Sequence, residues 1–155
     1  MKKLAPDFSL QDQDGTMRRL SDYQGKWLVI FFYPNDRTLN CTREACKFRD
    51  EYRVIQQFGG AEVIGINKAS VDVHKKFTLR HKLQFPVLSD PKHLVTQAFG
   101  AWRQGPVKWY GQAFGTRRHT YLIDPDGKIV KEYLNVDPTN HVMQVISDLQ
   151  ALQTS

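Results

Sequence analysis

The feature that most constrains this chain is an unbroken apolar segment, Trp27 to Tyr33, which stops at Pro34-Asn35-Asp36-Arg37 and is followed by residues with helical spacing. That run is far too short to cross a bilayer, and its turn-forming flanks read as a buried strand, Lys26 to Tyr33. Beyond the break, Cys41, Ala45, Phe48, Tyr52, Ile55 and Phe58 recur at intervals of four and three. A helix that begins near Thr38 to Cys41 and stops at Gly59-Gly60 therefore lays one apolar stripe against the sheet.

The rest of the chain alternates in the same way. Glu62 to Asn67 reads as a second buried strand, and Val71 to Lys82 as a helix with Val73, Phe77 and Leu83 inward. Pro86-Val87-Leu88 is a short strand, and Lys92 to Phe99 a short helix ended by Gly100. His119 to Asp124 and Lys128 to Leu134 form a hairpin across Pro125-Asp126-Gly127. A last helix carries Val142, Val145, Ile146 and Leu149 inward. Residues 1 to 25 read as an irregular opening segment with a turn at Asp14-Gly15. The aperiodic stretch 100 to 117, with Trp102, Trp109, Tyr110 and Phe114, reads as a structured loop bordering a site. The expected architecture is α/β: a central mixed β-sheet flanked by helices on both faces, in one domain spanning residues 1–155.

With 41% hydrophobic residues in 155, the chain can bury a core without staples, so its two cysteines are better explained by reactivity than by a disulfide scaffold. Met1-Lys2-Lys3 leads directly into polar residues, not into an apolar leader, and a cytoplasmic protein without membrane association is expected. The net charge of +6 is spread through every element, which favours a solvated basic surface over a nucleic-acid site.

Chemistry concentrates where the turn delivers Cys41 to the first turn of a helix. Free backbone N–H groups and the positive end of the dipole favour an anion there, and that anion is a thiolate. Thr38, three residues earlier, can cap the helix or aim its hydroxyl at the same volume as the sulfur. Taken singly, Thr38 reads as a cap, Pro34 as a strand terminator, Glu44 as a solvated charge and each cysteine as a small buried hydrophobe.

Their joint spacing resembles the peroxiredoxins. Pro34-Asn35-Asp36-Arg37-Thr38-Leu39-Asn40-Cys41 matches the pattern of proline, three residues, threonine, two residues and the peroxidatic cysteine. The continuation Cys41-Thr42-Arg43-Glu44-Ala45-Cys46 is similar to the bacterioferritin comigratory protein or peroxiredoxin Q subgroup. Ala5-Pro6-Asp7-Phe8, Leu20-Ser21-Asp22-Tyr23 and Arg118-His119-Thr120-Tyr121-Leu122-Ile123-Asp124 resemble it in the same order. The resemblance implies a thioredoxin-like fold and a peroxidase of hydrogen peroxide and organic hydroperoxides. It makes Cys41 the attacking sulfur, with Thr38 and the Cys41 amide holding the peroxide. Pro34 would shield the sulfur, Arg118 stabilise the thiolate, and Glu44 hold that arginine. No cofactor or metal is expected. The reductant would be thioredoxin or a related dithiol, and the protein a monomer. Two departures stand out. Leu39-Asn40 replaces the subgroup's Pro-Gly, so Asn40 is expected to adopt a turn that glycine makes easily. His119 follows the arginine where a small residue is usual.

Cys46 is the candidate resolving thiol. Five residues apart on an intact helix, the two Cα atoms lie about 8.6 Å apart, whereas a disulfide needs roughly 4.4 to 6.8 Å. If the two pair, the first turns of the helix must unwind. Rival readings are a thiol-disulfide exchanger on the same fold and a nucleic-acid module using Trp102 to Arg118.

Overall fold

Along residues 3–36, 38–103 and 115–154, which the computed structural model describes, strands and helices alternate much as the sequence predicts. The first part comprises β1 (Lys3–Leu4), β2 (Ser9–Gln11), β3 (Met17–Arg19), a 3-10 turn (Leu20–Tyr23), β4 (Trp27–Phe32) and α1 (Leu39–Gly59). Then come β5 (Ala61–Asn67), α2 (Val71–His81), β6 (Val87–Ser89), α3 (Leu94–Phe99) and β7 (Trp102–Arg103). The chain finishes with β8 (Gly115–Thr116), β9 (His119–Ile123), β10 (Lys128–Tyr133) and α4 (Asn140–Thr154).

Eight strands form one sheet in the order β1-β10-β9-β4-β5-β6-β2-β3, and β7 pairs with β8 separately. β4, β5 and β6 run parallel, while β9 lies antiparallel to β4, so the sheet is mixed. The apolar run supplies its centre. Successive strand side chains point to opposite faces: Val29, Phe31 and Tyr33 enter one core, and Leu28, Ile30 and Phe32 the other. The first core is covered by Cys41, Ala45, Phe48 and Ile55 of α1, Phe77 of α2, and Val142, Val145, Ile146 and Leu149 of α4. The second is covered by Phe99 of α3 with Ala5, Phe8 and Tyr23. Helices therefore flank both faces, in the thioredoxin-like manner expected.

The helix that carries Cys41 is fastened unequally along its length. Gly60 ends it with a left-handed φ of 53° and an N–H bonded to the Gln56 carbonyl. Its second half is tied to neighbours: Arg49 Nη1 donates to the His81 carbonyl, Gln84 Nε2 to the Arg49 carbonyl, and the Tyr52 hydroxyl to Glu62.

Two details differ from expectation, and part of a third reading falls outside the described residues. The opening segment is ordered into strands, because Asp12 Oδ1 accepts from the amides of Asp14 and Thr16 and so builds the β2–β3 turn. On α2 the fully buried side chain beside Phe77 is His74, while Val73 is only half-buried. Of the expected loop, Trp109, Tyr110 and Phe114 lie outside the described residues, as do Arg37 and the side chain of Phe58.

Candidate active site

The loop from Pro34 to Thr38 carries the chain from the end of β4 into α1, and one carboxylate holds it in place. Asp36 Oδ1 accepts from the Tyr33 hydroxyl at 2.6 Å and from Asn67 Nδ2 at 3.0 Å, while Oδ2 lies 2.6 Å from His74 Nδ1. The other ring nitrogen of His74 faces the Leu88 carbonyl at 3.1 Å. Three side chains, from the end of β4, from β5 and from α2, thus converge on the middle of this loop. Asn35 Oδ1 accepts from the Thr38 amide at 2.9 Å and sets the approach to the helix.

Thr38 is the N-cap. Its extended backbone (φ −82°, ψ 152°) turns the chain into the helix, and Oγ1 accepts from the Cys41 amide at 3.3 Å. Leu39 and Asn40 lie within the first turn, and no described non-glycine residue other than Lys82, His93 and Asn135 has a positive φ. Asn40 therefore needs no glycine-like turn, contrary to expectation. A chain that begins its helix at residue 39 meets ordinary helical torsions there.

Cys41 is buried, whereas Thr38 is exposed. Arg118, immediately before β9, donates from Nη2 to the Cys41 sulfur at 3.3 Å and from Nη1 to Glu44 Oε1 at 2.7 Å. Glu44 sits one helical turn after Cys41, so both face Arg118 from one side of the helix. Burial works to lower the Arg118 guanidinium pKa, yet Glu44 and Cys41 outweigh it and raise it above its ordinary value. The neighbouring Arg117 donates its backbone amide to the Ala101 carbonyl.

Of the residues singled out in the sequence, Cys41, Thr38, Glu44 and Arg118 are brought together. Pro34 is half-buried at the start of the same loop. Cys46 is not joined to Cys41: both thiols are free, and Cys46 is half-buried on the helix. Burial pushes the Cys46 thiol pKa up. His119, the second departure, accepts the Asn135 amide on Nδ1 at 3.0 Å and so pins the link from β10 to α4.

Sequence reasoning missed His141, on α4, whose Nε2 lies 3.3 Å from Glu44 Oε2 and 3.1 Å from Thr120 Oγ1. It also missed Asp36 and His74. The usable signal was spacing: His141 is four residues before Val145, and His74 three before Phe77, so both fall on inward stripes. Burial raises the Glu44 carboxyl to about 8 against the pull of Arg118. Burial also lowers His141 to about 4, with the Arg118 charge adding to the effect. Among the described residues no group of three or more His, Cys, Asp or Glu is arranged to hold a metal, and no helix is long and apolar enough to cross a membrane.

Residues 1–132 match the model of the AhpC/TSA family. The sequence is 38% identical over 147 residues to peroxiredoxin Bcp of Bacillus subtilis, covering 94% of this chain and 92% of that protein. It is 39% identical over 149 residues to a chloroplastic peroxiredoxin Q of Oryza sativa, covering 96% of this chain and 65% of the rice protein. Among solved structures it resembles peroxidoxin BcpB of Mycobacterium tuberculosis, with a TM-score of 0.87 and 32% identity over 97% of this chain and 96% of that one. It also resembles the bacterioferritin comigratory protein of Xanthomonas campestris, a protein with alkyl peroxide reduction activity. There the TM-score is 0.86 and the identity 30%, over 93% of this chain and 90% of that one.

Proposed function

We propose, because this chain belongs to the AhpC/TSA family and is a peroxiredoxin of the Bcp and peroxiredoxin Q kind, that Cys41 is the sulfur with which it attacks hydroperoxides. The observation that carries the assignment is the forked contact of Arg118, one nitrogen on the Cys41 sulfur and the other on Glu44. A fixed guanidinium favours the thiolate at any physiological pH.

The thiolate attacks one oxygen of ROOH. The S–O bond forms as the O–O bond breaks, Cys41 becomes a sulfenic acid that keeps the hydroxyl of ROOH, and the departing alkoxide takes a proton from solvent and leaves as ROH. The Cys41 amide and the Thr38 hydroxyl are the donors for the bound peroxide, which takes over the contact these two groups make with each other at rest. Pro34 is assigned the shielding of the sulfur from solvent, as the resemblance implies. Hydrogen peroxide and organic hydroperoxides are both substrates.

Cys46 then resolves the sulfenate. Its sulfur attacks the Cys41 sulfur, water leaves, and an intramolecular disulfide forms. Helix geometry requires the start of α1 to unwind for this. Burial, which raises the Cys46 thiol, keeps it quiet until then. Thioredoxin or a similar dithiol protein reduces the disulfide, taking on the oxidation itself. The protein works as a monomer in the cytoplasm, where dithiol reductants are kept reduced.

Steady-state peroxide reduction with thioredoxin, run on wild type, Cys41→Ser and Cys46→Ser, tests the reading. Cys41→Ser should be inactive; turnover at the wild-type rate would sink the assignment. Mass spectrometry of peroxide-treated wild type should find the Cys41–Cys46 linkage. A persistent Cys41 sulfenate without it would retire Cys46 as the resolving thiol.

A further inference from the structure

Behind Arg118 lies a buried contact that the peroxidase reading does not use. Glu44 Oε1 is taken by Arg118, but Oε2, also buried, has no hydrogen-bond partner among the described residues, although His141 Nε2 is 3.3 Å away. His141 Nδ1 lies 2.5 Å from the Asp137 carbonyl. A carbonyl only accepts, so Nδ1 carries the hydrogen, and a neutral ring then has a bare lone pair on Nε2. That lone pair accepts from the Thr120 hydroxyl and also faces the carboxyl oxygen. Two acceptors at this distance repel each other unless one of them holds a proton.

Charge makes the same demand. With Cys41 as a thiolate and Glu44 as a carboxylate, two buried anions share one cation among the described residues, Arg118, and an unmatched buried charge is costly. The groups around the pair are Cys41 on the same helix, Arg118 and Thr120 from the β9 side, Tyr33 at the end of β4, and Asp137 ahead of α4. Asp137 turns its carboxylate to the Thr139 and Asn140 amides. None of these supplies a second cation.

We propose that Glu44 and His141 hold one proton between them, and that His141 is thereby a positioning residue that keeps the charge of Arg118 on the Cys41 sulfur. The proposal rests on Cys41 being the attacking sulfur. The proton stays on the acid, Oε2–H and the Thr120 hydroxyl sharing the Nε2 lone pair after a slight turn of the ring, while Oε1 still accepts from Arg118. A neutral carboxyl orients the guanidinium without consuming its charge. The burial-driven shifts of Glu44 upward and His141 downward agree with this placement. Titration of the cluster is then shared, and ionising Glu44 draws Arg118 away from sulfur.

Infrared spectroscopy of the reduced protein near neutral pH tests this directly. A protonated-carboxyl C=O band should be present in wild type and missing in Glu44→Gln; no such difference would overturn the proposal. The thiolate of Cys41 is read by ultraviolet absorbance in a Cys46→Ser background. In His141→Gln the amide donates to Oε2 and favours the carboxylate, so the thiolate fraction at about pH 6 should fall several-fold. Glu44→Gln, an isostere of the protonated acid, should not produce that fall. An unchanged thiolate fraction in folded His141→Gln, or an equal fall in Glu44→Gln, refutes the shared proton. The infrared band needs neither turnover nor the His141 variant, so it stands apart from the fate of the Cys41 assignment.

Discussion

Asp36 Oδ2 and His74 Nδ1 lie 2.6 Å apart with both side chains buried, joining the loop ahead of Cys41 to the first turn of α2. Because His74 Nε2 faces the Leu88 carbonyl, it carries a hydrogen, and the contact with Asp36 needs a further proton on one of the two partners. Removing one member of such a buried pair costs about 3 to 5 kcal/mol. His74→Ala should lower the urea midpoint accordingly. It should also speed disulfide formation relative to peroxide attack, because the loop loses its tie to α2. Stopped-flow fluorescence separates the two phases; unchanged phase rates in a destabilised protein would show that the tie serves stability alone.

Arg118 bonds two acceptors at once, which a lysine cannot reproduce from a single ammonium on a flexible stem. Arg118→Lys is expected to slow peroxide attack on Cys41 by about 10- to 100-fold, measured under single-turnover conditions. A rate within twofold of wild type would show that charge alone, without the fork, suffices.

The Glu44–His141 pair also leaves a mark on stability. A carboxyl raised from 4.5 to about 8 binds its proton more tightly in the folded chain. Its contribution is full below the unfolded value and is lost as pH rises through about 8. His141, depressed from 6.5 to about 4, acts in the opposite sense: its contribution is full above 6.5 and is lost as pH falls toward 4. The two slopes oppose each other at acid pH, and only Glu44 acts from 6.5 to 8. Wild type should lose up to about 2 kcal/mol across that interval. Glu44→Gln should flatten the decline in a series of urea denaturations.

Gly65 on β5 is held small by its neighbours. A Cβ there would lie 2.8 Å from Phe31 Cζ and 3.2 Å from Tyr33 Cε1, and Phe31 in turn stacks on Phe48 of α1 at 4.6 Å between centroids. Gly65→Ala should destabilise by about 1 to 3 kcal/mol through overpacking. Thermal unfolding provides the check, and a neutral effect would mean that the ring stack can shift aside.

The strand–turn–helix and the residues around the sulfur were legible in the sequence because each rests on local chemistry: an apolar run, a cap, a spaced stripe. Arg118 was reached through resemblance, since nothing local ties residue 118 to residue 41. Asp36, His74 and His141 were not seen, for a physical reason. Each meets its partner across a long stretch of chain, and a histidine on an apolar stripe looks the same in sequence whether it fills a core or faces a carboxyl. The strands of the opening segment were missed because β1 pairs with the distant β10 and the β2–β3 turn depends on Asp12, a single side chain folding back on its own turn.

The unequal fastening of α1 sets a direction. Its start is held by the Thr38 cap, by the loop that Asp36 anchors and by the Arg118 fork on Cys41 and Glu44, contacts that oxidation of the sulfur would disturb, while from Arg49 onward it is stapled to α2, to the segment after it and to β5. Such a helix frays from one end and stops at the other. Any movement of Cys41 toward Cys46 is therefore a partial unfolding confined to the leading turns, with the sheet as a fixed template on which they refold. Conditions that loosen those turns, such as mild denaturant well below the global transition, would change the pace of that step before they touched the rest of the molecule.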